Sequence, residues 1–183
     1  MNIPEKGSLL IAEPFMKDTN FQRSVVLVCQ KQEDGFVGFT INQKIDHLVG
    51  DLVEDLSSCT LPLYDGGPVG KEQMFFLHCM PEIIPGGIHI NAGIYWGGDF
   101  DKIKELVLTN SIDENKIRFI VGYSGWEGGQ LEEEIKEKSW LCAPSNQELV
   151  FHTQSTLIWK NAVKLLGDEF KQIINYPLDP SLN

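Results

Sequence analysis

From Arg23 to Asn42 the chain reads RSVVLVCQKQEDGFVGFTIN, two apolar, β-branched-rich runs around a polar break. The run VVLVC is apolar at successive positions, not at every second one, which is the pattern of a strand buried on both faces. The break KQEDG carries Asp34-Gly35, a dipeptide that short hairpin turns favour. The segment predicts a β-hairpin across residues 24–42, whose first strand needs material packed above and below it.

SLLIA, residues 8–12, reads as a first strand, and PFMKDTNF as a polar turn. DHLVGDLVEDL sets Leu48, Val49, Leu52, Val53 and Leu56 at helical spacing, with Asp46 as N-cap. LPLYDGGPVG reads as a Gly/Pro loop, QMFFLHCM as a strand, PEIIPGG as a turn and IHINAGIYWGG as one further strand with its end. DFDKIKELVLTN is an amphipathic helix with an Asp start, and KIRFIVGYS a strand. SWLCAP reads as a short strand, STLIWKNAVKLLG as a helix that Gly167 can cap, and DEFKQIINY as a last helix before the tail PLDPSLN. This order lacks a regular βαβ alternation, so it predicts an α+β fold with mostly antiparallel or mixed pairing.

Length and charge narrow the function classes. The 183 residues, 42% hydrophobic and 22% charged, fit one domain spanning 1–183. A chain of this size buries about 70% of its unfolded surface and needs neither metal nor disulfide to fold. The net charge is −11, and Arg23 and Arg118 are its only arginines. Direct nucleic-acid binding and anionic membranes both draw on clustered Lys and Arg, so the charge disfavours them. The start MNIPEKGSLLIAEPF does not read as a signal peptide, and no apolar run is long enough to span a membrane. Cys29, Cys59, Cys79 and Cys142 form no CxxC pair, and Cys29 and Cys79 sit in apolar runs as buried thiols do. A cytoplasmic location is the expectation.

Residues 122–140, GYSGWEGGQLEEEIKEKSW, pack glycines, aromatics and charges together. They match neither GxxxxGK[ST] nor GxGxxG, and Glu132, Glu133 and Glu134 at the start of the following helix would repel a phosphate. A nucleophile elbow needs GxSxG, whereas Ser124 directly precedes Gly125. What remains is a strand-to-helix corner in which Gly125, Gly128 and Gly129 supply φ > 0. The helix QLEEEIKEK then buries Leu131 and Ile135 and forms the i,i+4 pairs Glu132–Lys136 and Glu134–Lys138. Trp140 packs after the helix ends. Tyr123 and Trp126 are either core plugs or ligand platforms.

Other candidates have structural readings beside the functional ones. His78 and Cys79 are neighbours on a strand and point to opposite faces. His78 and His89 lack zinc spacing, so no metal and no cofactor are expected. Asp18 and Arg23 read either as a salt bridge fixing a turn or, for Arg23, as a fork for an anionic ligand. Gly66-Gly67-Pro68 reads as a tight turn.

The stretch 122–140 as a whole resembles the signature GYxGWxxGQLExEI…W of the YqgE/AlgH family of bacterial proteins. GSLLIAEPFMKDTNFQRSVVLVC is similar to that family's first block, including Pro14, Met16, Asp18, Phe21, Arg23 and Ser24. GFVGFTIN, ending in Asn42, matches the next block, and YDGGPVG…FFLH supplies Gly66, Gly67, Pro68 and His78. The ending PSLN matches too. The resemblance implies a compact α+β fold with a coiled, bifurcated β-sheet flanked by helices. Family members are labelled transcriptional regulators without an established mechanism, and no catalytic residues carry over. One departure is CQKQEDG, where members often place a histidine after the second strand.

The expected function is a non-enzymatic regulatory or interaction protein acting through an unknown protein partner. The alternative is a small-molecule binder or enzyme in which Arg23, His78, Tyr123, Trp126 and Gln130 line one cleft. The candidate contacts are Asp18, Arg23, Asn42, Gly66, Gly67, Pro68, His78, Tyr123, Trp126 and Gln130.

Overall fold

The computed structural model describes residues 4–177; the PSLN ending lies outside them. The strands are β1 (Ser8–Ala12), β2 (Val25–Gln32), β3 (Gly35–Thr40), β4 (Lys44–Leu48), β5 (Pro62–Asp65), β6 (Val69–His78), β7 (Ile88–Asn91), β8 (Ile94–Trp96), β9 (Ile117–Glu127) and β10 (Trp140–Pro144). The helices are α1 (Val49–Leu52), α2 (Phe100–Leu108), α3 (Gln130–Lys136) and α4 (Ser155–Lys164). A π turn at Glu148–His152 and a 3-10 segment at Asp168–Asn175 flank α4.

One ten-stranded sheet runs β10-β1-β2-β3-β9-β6-β8-β7, with β4 and β5 off that path. The α+β class and the curled, mostly antiparallel sheet are as expected, and among the described residues the single parallel pairing is β5 with β9. The sheet splits on β9. Its end, Ser124 to Glu127, pairs with Gly38 to Gly35 of β3. Further back, Phe119 to Val121 pairs instead with Leu63 to Asp65 of β5. On the other edge β6 pairs with Ile117 to Tyr123.

Gly66-Gly67-Pro68 sits in that fork. The Gly66 carbonyl accepts from the Thr40 amide at 2.9 Å and from the Ser124 hydroxyl at 2.9 Å, and the Gly66 amide donates to Val121 at 2.8 Å. One peptide thereby ties the end of β3 to β9 where their ladder stops. Side chains are excluded sterically. A Cβ on Gly66 would lie 2.3 Å from the Gly122 oxygen, and one on Gly67, at φ +144°, would lie 2.4 Å from the Tyr123 carbonyl.

The hairpin strand is buried on both faces, as its pattern requires. Val25, Leu27 and Cys29 join a cluster with Phe39, Ile120 and the α4 residues Ile158, Trp159, Ala162 and Val163. Val26 and Val28 join Leu10, Phe36, Trp126, Trp140 and Leu131 of α3 on the other side. A third cluster packs Phe119, Leu63 and Phe76 against α1 and α2 through Val49, Ile103 and Val107. Alternation along each strand divides the core among the three.

Several local readings are corrected. Gln32 pairs with Gly35, so the turn centres on Glu33-Asp34 and Gly35 belongs to the ladder, paired on its other side with Glu127. The helix expected from Asp46 begins only at Val49, because β4 takes Asp46; the Asp51 carboxylate accepts the Leu48 amide at 2.7 Å. The LPLYDGGPVG loop contains β5, which long-range pairing with β4 and β9 creates. IHINAGIYW is two strands, not one. Ala92 (φ 49°) and Gly93 (φ 73°) turn the chain between Asn91 and Ile94, as a type I′ hairpin demands. Finally β9 runs on to Glu127, so among Gly125, Gly128 and Gly129 only Gly129 takes positive φ, at 83°. Gly167 does not end α4 directly; it follows Leu165 and Leu166 and leads into the 3-10 segment.

The fork makes a comparison of two glycines informative. Gly129→Ala meets no atom within 4 Å and bears only the left-handed backbone penalty, about 1 kcal/mol. Gly67→Ala adds a backbone collision and is expected to cost at least about 2 kcal/mol in urea unfolding. Equal losses in the two variants would show that close packing at the fork contributes nothing to stability.

Candidate functional site

Where β9 ends, the chain must turn into α3 and return as β10. Gly129 makes the turn, and Gln130 and Glu134, four residues apart, then share one face of α3. That face looks inward. Glu134 Oε2 accepts from Trp126 Nε1 at 2.9 Å and from Trp140 Nε1 at 2.8 Å. Its Oε1 accepts from Gln130 Nε2 at 2.9 Å, and Gln130 Oε1 accepts the Glu127 amide at 3.1 Å. One carboxylate thus joins the end of β9, the first turn of α3 and the start of β10. The expected i,i+4 pairs of Glu132 and Glu134 with Lys136 and Lys138 do not form among the described residues, because Glu134 is committed to the indoles. Glu132 Oε2 is buried without a partner.

Aromatic rings complete the arrangement. Phe21 stacks on Trp126 with centroids 6.2 Å apart and meets Trp140 edge-on at 5.3 Å. The two indoles meet edge-on at 5.9 Å. Phe21 is placed by the short 3-10 turn Thr19–Phe21, which Asp18 caps by accepting the Asn20 amide at 2.9 Å. This clamp forms a wall of a cleft of 870 Å³, which Glu13, Met16, Lys17, Asp18, Pro68, Glu137 and Lys138 also line.

The sequence-derived candidates separate into distinct places. Asp18, Pro68, Trp126 and Gln130 line the clamp cleft. Asp18 does not pair with Arg23, since its carboxylate is spent on the Asn20 cap. Arg23, at φ 53°, turns away to lie 4.1 Å from the Trp159 ring centroid and donates to the carbonyls of Tyr176 at 2.6 Å and Pro177 at 3.0 Å. Asn42 fixes that turn. Its Oδ1 accepts the Val25 amide at 2.8 Å, and its Nδ2 donates to the Arg23 carbonyl at 2.8 Å. Gly66 and Gly67 occupy the fork.

Tyr123 and Trp126 lie three residues apart on a strand and therefore face opposite sides. Tyr123 packs edge-on against Phe75 at 6.2 Å in the cluster beneath α4, while Trp126 is both core and cleft wall. His78 is fully buried. Its Nδ1 accepts the Met80 amide at 3.1 Å, so Nε2 carries the proton and donates to the Gly97 carbonyl at 2.9 Å. Arg23, His78, Tyr123, Trp126 and Gln130 do not line one cleft: Arg23 and Trp126 belong to different cavities, His78 is buried in the interior, and Tyr123 is half-buried against the cluster beneath α4. Glu134, Trp140 and Phe21 are the site residues that local reading passed over.

Reactive groups elsewhere are restrained. Burial raises all four thiols above their ordinary range, Cys142 to about 11, which suppresses the thiolate. Among the described residues no three His, Cys, Asp or Glu stand close enough to hold a metal ion. No helix among them is long and apolar enough to cross a membrane.

The forked, curled sheet and the helices packed against it make this an α+β protein. The family model described as AlgH-like matches residues 9–171. The chain is 40% identical to a UPF0301 protein of Parabacteroides distasonis over 183 residues, covering 99% of this chain and 92% of that one. It is 37% identical to a UPF0301 protein of Bacteroides thetaiotaomicron, with 99% and 92% covered. The solution structure of the AlgH protein from Pseudomonas aeruginosa superposes with a TM-score of 0.74 at 25% identity, covering 97% and 98% of the two chains. A crystal structure of DIP2367 from Corynebacterium diphtheriae shares the fold at a TM-score of 0.78 and 20% identity, covering 96% and 94%. The chain belongs to the AlgH-like family.

Two measurements check the site. Glu134→Ala strands two indole N–H groups and is expected to cost about 2–4 kcal/mol in urea unfolding. Glu134→Gln, which keeps an acceptor, should cost less than half of that. In the buried His78, desolvation holds the imidazole pKa below its ordinary value, so the neutral form is favoured by folding. That contribution is complete above about pH 6.5 and is lost as pH falls below it. Unfolding free energy should therefore decline between pH 7 and 5 in the parent, and less steeply in His78→Gln.

Proposed function

We propose that this chain is a non-enzymatic regulatory protein of the cytoplasm that works by docking a segment of another protein in the clamp cleft. The observation that carries the reading is the clamp itself. Residues from three separated stretches, Phe21, Trp126 with Gln130 and Glu134, and Trp140, are locked to one another around a cavity large enough for several side chains. Rigid aromatic walls with committed hydrogen bonds suit recognition, since little freedom is lost when a partner enters. Acid–base chemistry at Glu134 is disfavoured, because both its oxygens already hold donors.

The surrounding charge indicates the partner's chemistry. Glu13, Asp18 and Glu137 line the cleft alongside Lys17 and Lys138. With Glu134 the acidic side prevails, so the favoured occupant is a segment with an apolar anchor followed by Lys or Arg. The net charge of −11 disfavours duplex DNA as the direct ligand; any effect on transcription would then pass through the protein partner.

A photo-crosslinking residue at Lys17 or Lys138 tests this in cells. The expected result is one captured protein whose crosslink maps to a basic-apolar segment, and whose affinity for the purified chain falls at least tenfold in Glu137→Lys. An affinity unchanged by charge reversal, or salt-dependent retention of duplex DNA by the purified chain, would overturn the reading.

A further inference from the structure

Helix α4 begins without the devices that start the other helices. Its N-cap position is Gln154, whose side chain makes no capping bond, and its first turn holds no Asp or Glu. By contrast Asp99 caps α2, and Glu132 and Glu133 stand in the first turn of α3. The free N–H groups and positive end of α4 are therefore not offset by the chain's own acids.

Arg118 points independently to an anion. It is only 5% exposed, yet it lines a cavity of 360 Å³ whose wall also includes Ser155 and Thr156 at the start of α4. Its guanidinium lies 4.2 Å from the Tyr64 ring centroid and donates to the Ile41 carbonyl. Among the described residues no carboxylate pairs with it. A guanidinium offers five N–H donors, so one carbonyl and a ring face leave its charge without a carboxylate and its remaining donors open to the cavity. A buried cation without a counter-ion is costly. Lys44 lines the same cavity, and the one carboxylate there, Glu114, is exposed.

The second arginine lines another cavity that Ser155 and Thr156 share. A neighbouring cavity of 660 Å³ is lined by Arg23, Trp159 and Lys160 and again by Ser155 and Thr156, with no Asp or Glu. Arg23 Nε is buried there without a hydrogen-bond partner. In a chain of net charge −11, both arginines thus flank one uncapped helix start.

The geometry points to a binding site for a phosphate group, free or as the head of a small phosphate monoester, with Arg118 as its buried counter-ion. The hydroxyls of Ser155 and Thr156 and the N–H groups opening α4 supply donors, and a tetrahedral dianion has enough acceptors for all of them. The site is independent of the clamp cleft and shares no lining residue with it.

Calorimetric titration and thermal melting of the full chain with inorganic phosphate, against chloride at equal ionic strength, test the proposal. The expected result is saturable one-site binding and a rise in Tm that chloride does not reproduce. Thr156→Asp should weaken phosphate at least tenfold without lowering the Tm of the free protein, since an acid in a first helical turn is favourable. Arg118→Lys, which keeps the charge but loses the fork, should weaken it as well; should that variant fail to fold, Thr156→Asp decides alone. Ribose 5-phosphate binding more tightly than inorganic phosphate would assign the monoester, and equal binding the free ion. No saturable binding, or unaltered binding by Thr156→Asp, would overturn the site.

Discussion

Strand β9 has to serve three partners with one backbone. It gives its first edge to β6, and divides its second edge between β5 and β3. A ladder cannot change partner without leaving amides and carbonyls unmatched at the change, and buried ones must be satisfied. Gly66 meets that need by bridging Thr40, Ser124 and Val121 at once. The rest of the molecule is arranged around this fork: one sheet arm packs between α3 and α4, and the other packs against α1 and α2.

A second constraint acts where β9 runs out. The chain leaves the sheet, forms two turns of α3 and must rejoin at the far edge beside β1. Short helices are not stable alone. Leu131 is buried beneath α3, and Glu134 binds an indole from each flanking strand, so α3 is fixed at both ends by residues outside it. The same bonds orient the rings that line the cleft. Structural and recognition roles therefore coincide in these side chains, whereas the arginine-flanked start of α4 lies apart from them.

Local pattern revealed much of the fold. The hairpin, β1, α2, β10 and the existence of α4 follow from periodicity and caps that act within a few residues. The elements that escaped are those made by distant partners. β5 is a strand because β4 and β9 lie beside it, although its own residues include a proline and border a Gly-Gly-Pro turn. The site escaped for a related reason. Glu132 and Glu134 read as i,i+4 partners of lysines at a helix start, and nothing within α3 indicates that Glu134 turns to the indoles. Trp126 and Trp140 select it, and they come from strands before and after the helix. Similarly, Asp18 and Arg23 look like an ion pair by proximity in sequence, but an Asx cap and a left-handed residue at Arg23 send them apart.

One carboxylate holds the two strand ends together through their indoles. Hydrogen exchange at the indole N–H groups addresses it directly, because the four tryptophans differ in the structure. Trp126 and Trp140 donate to Glu134, Trp159 donates to the Ala12 carbonyl at 2.8 Å, and Trp96 is partly exposed. Exchange at Trp126 and Trp140 is expected to be slow and to be accelerated at least tenfold at both together by Glu134→Ala, with Trp159 unaltered. Exchange at Trp126 and Trp140 as fast as at Trp96, or a response at only one of them, would contradict the shared carboxylate.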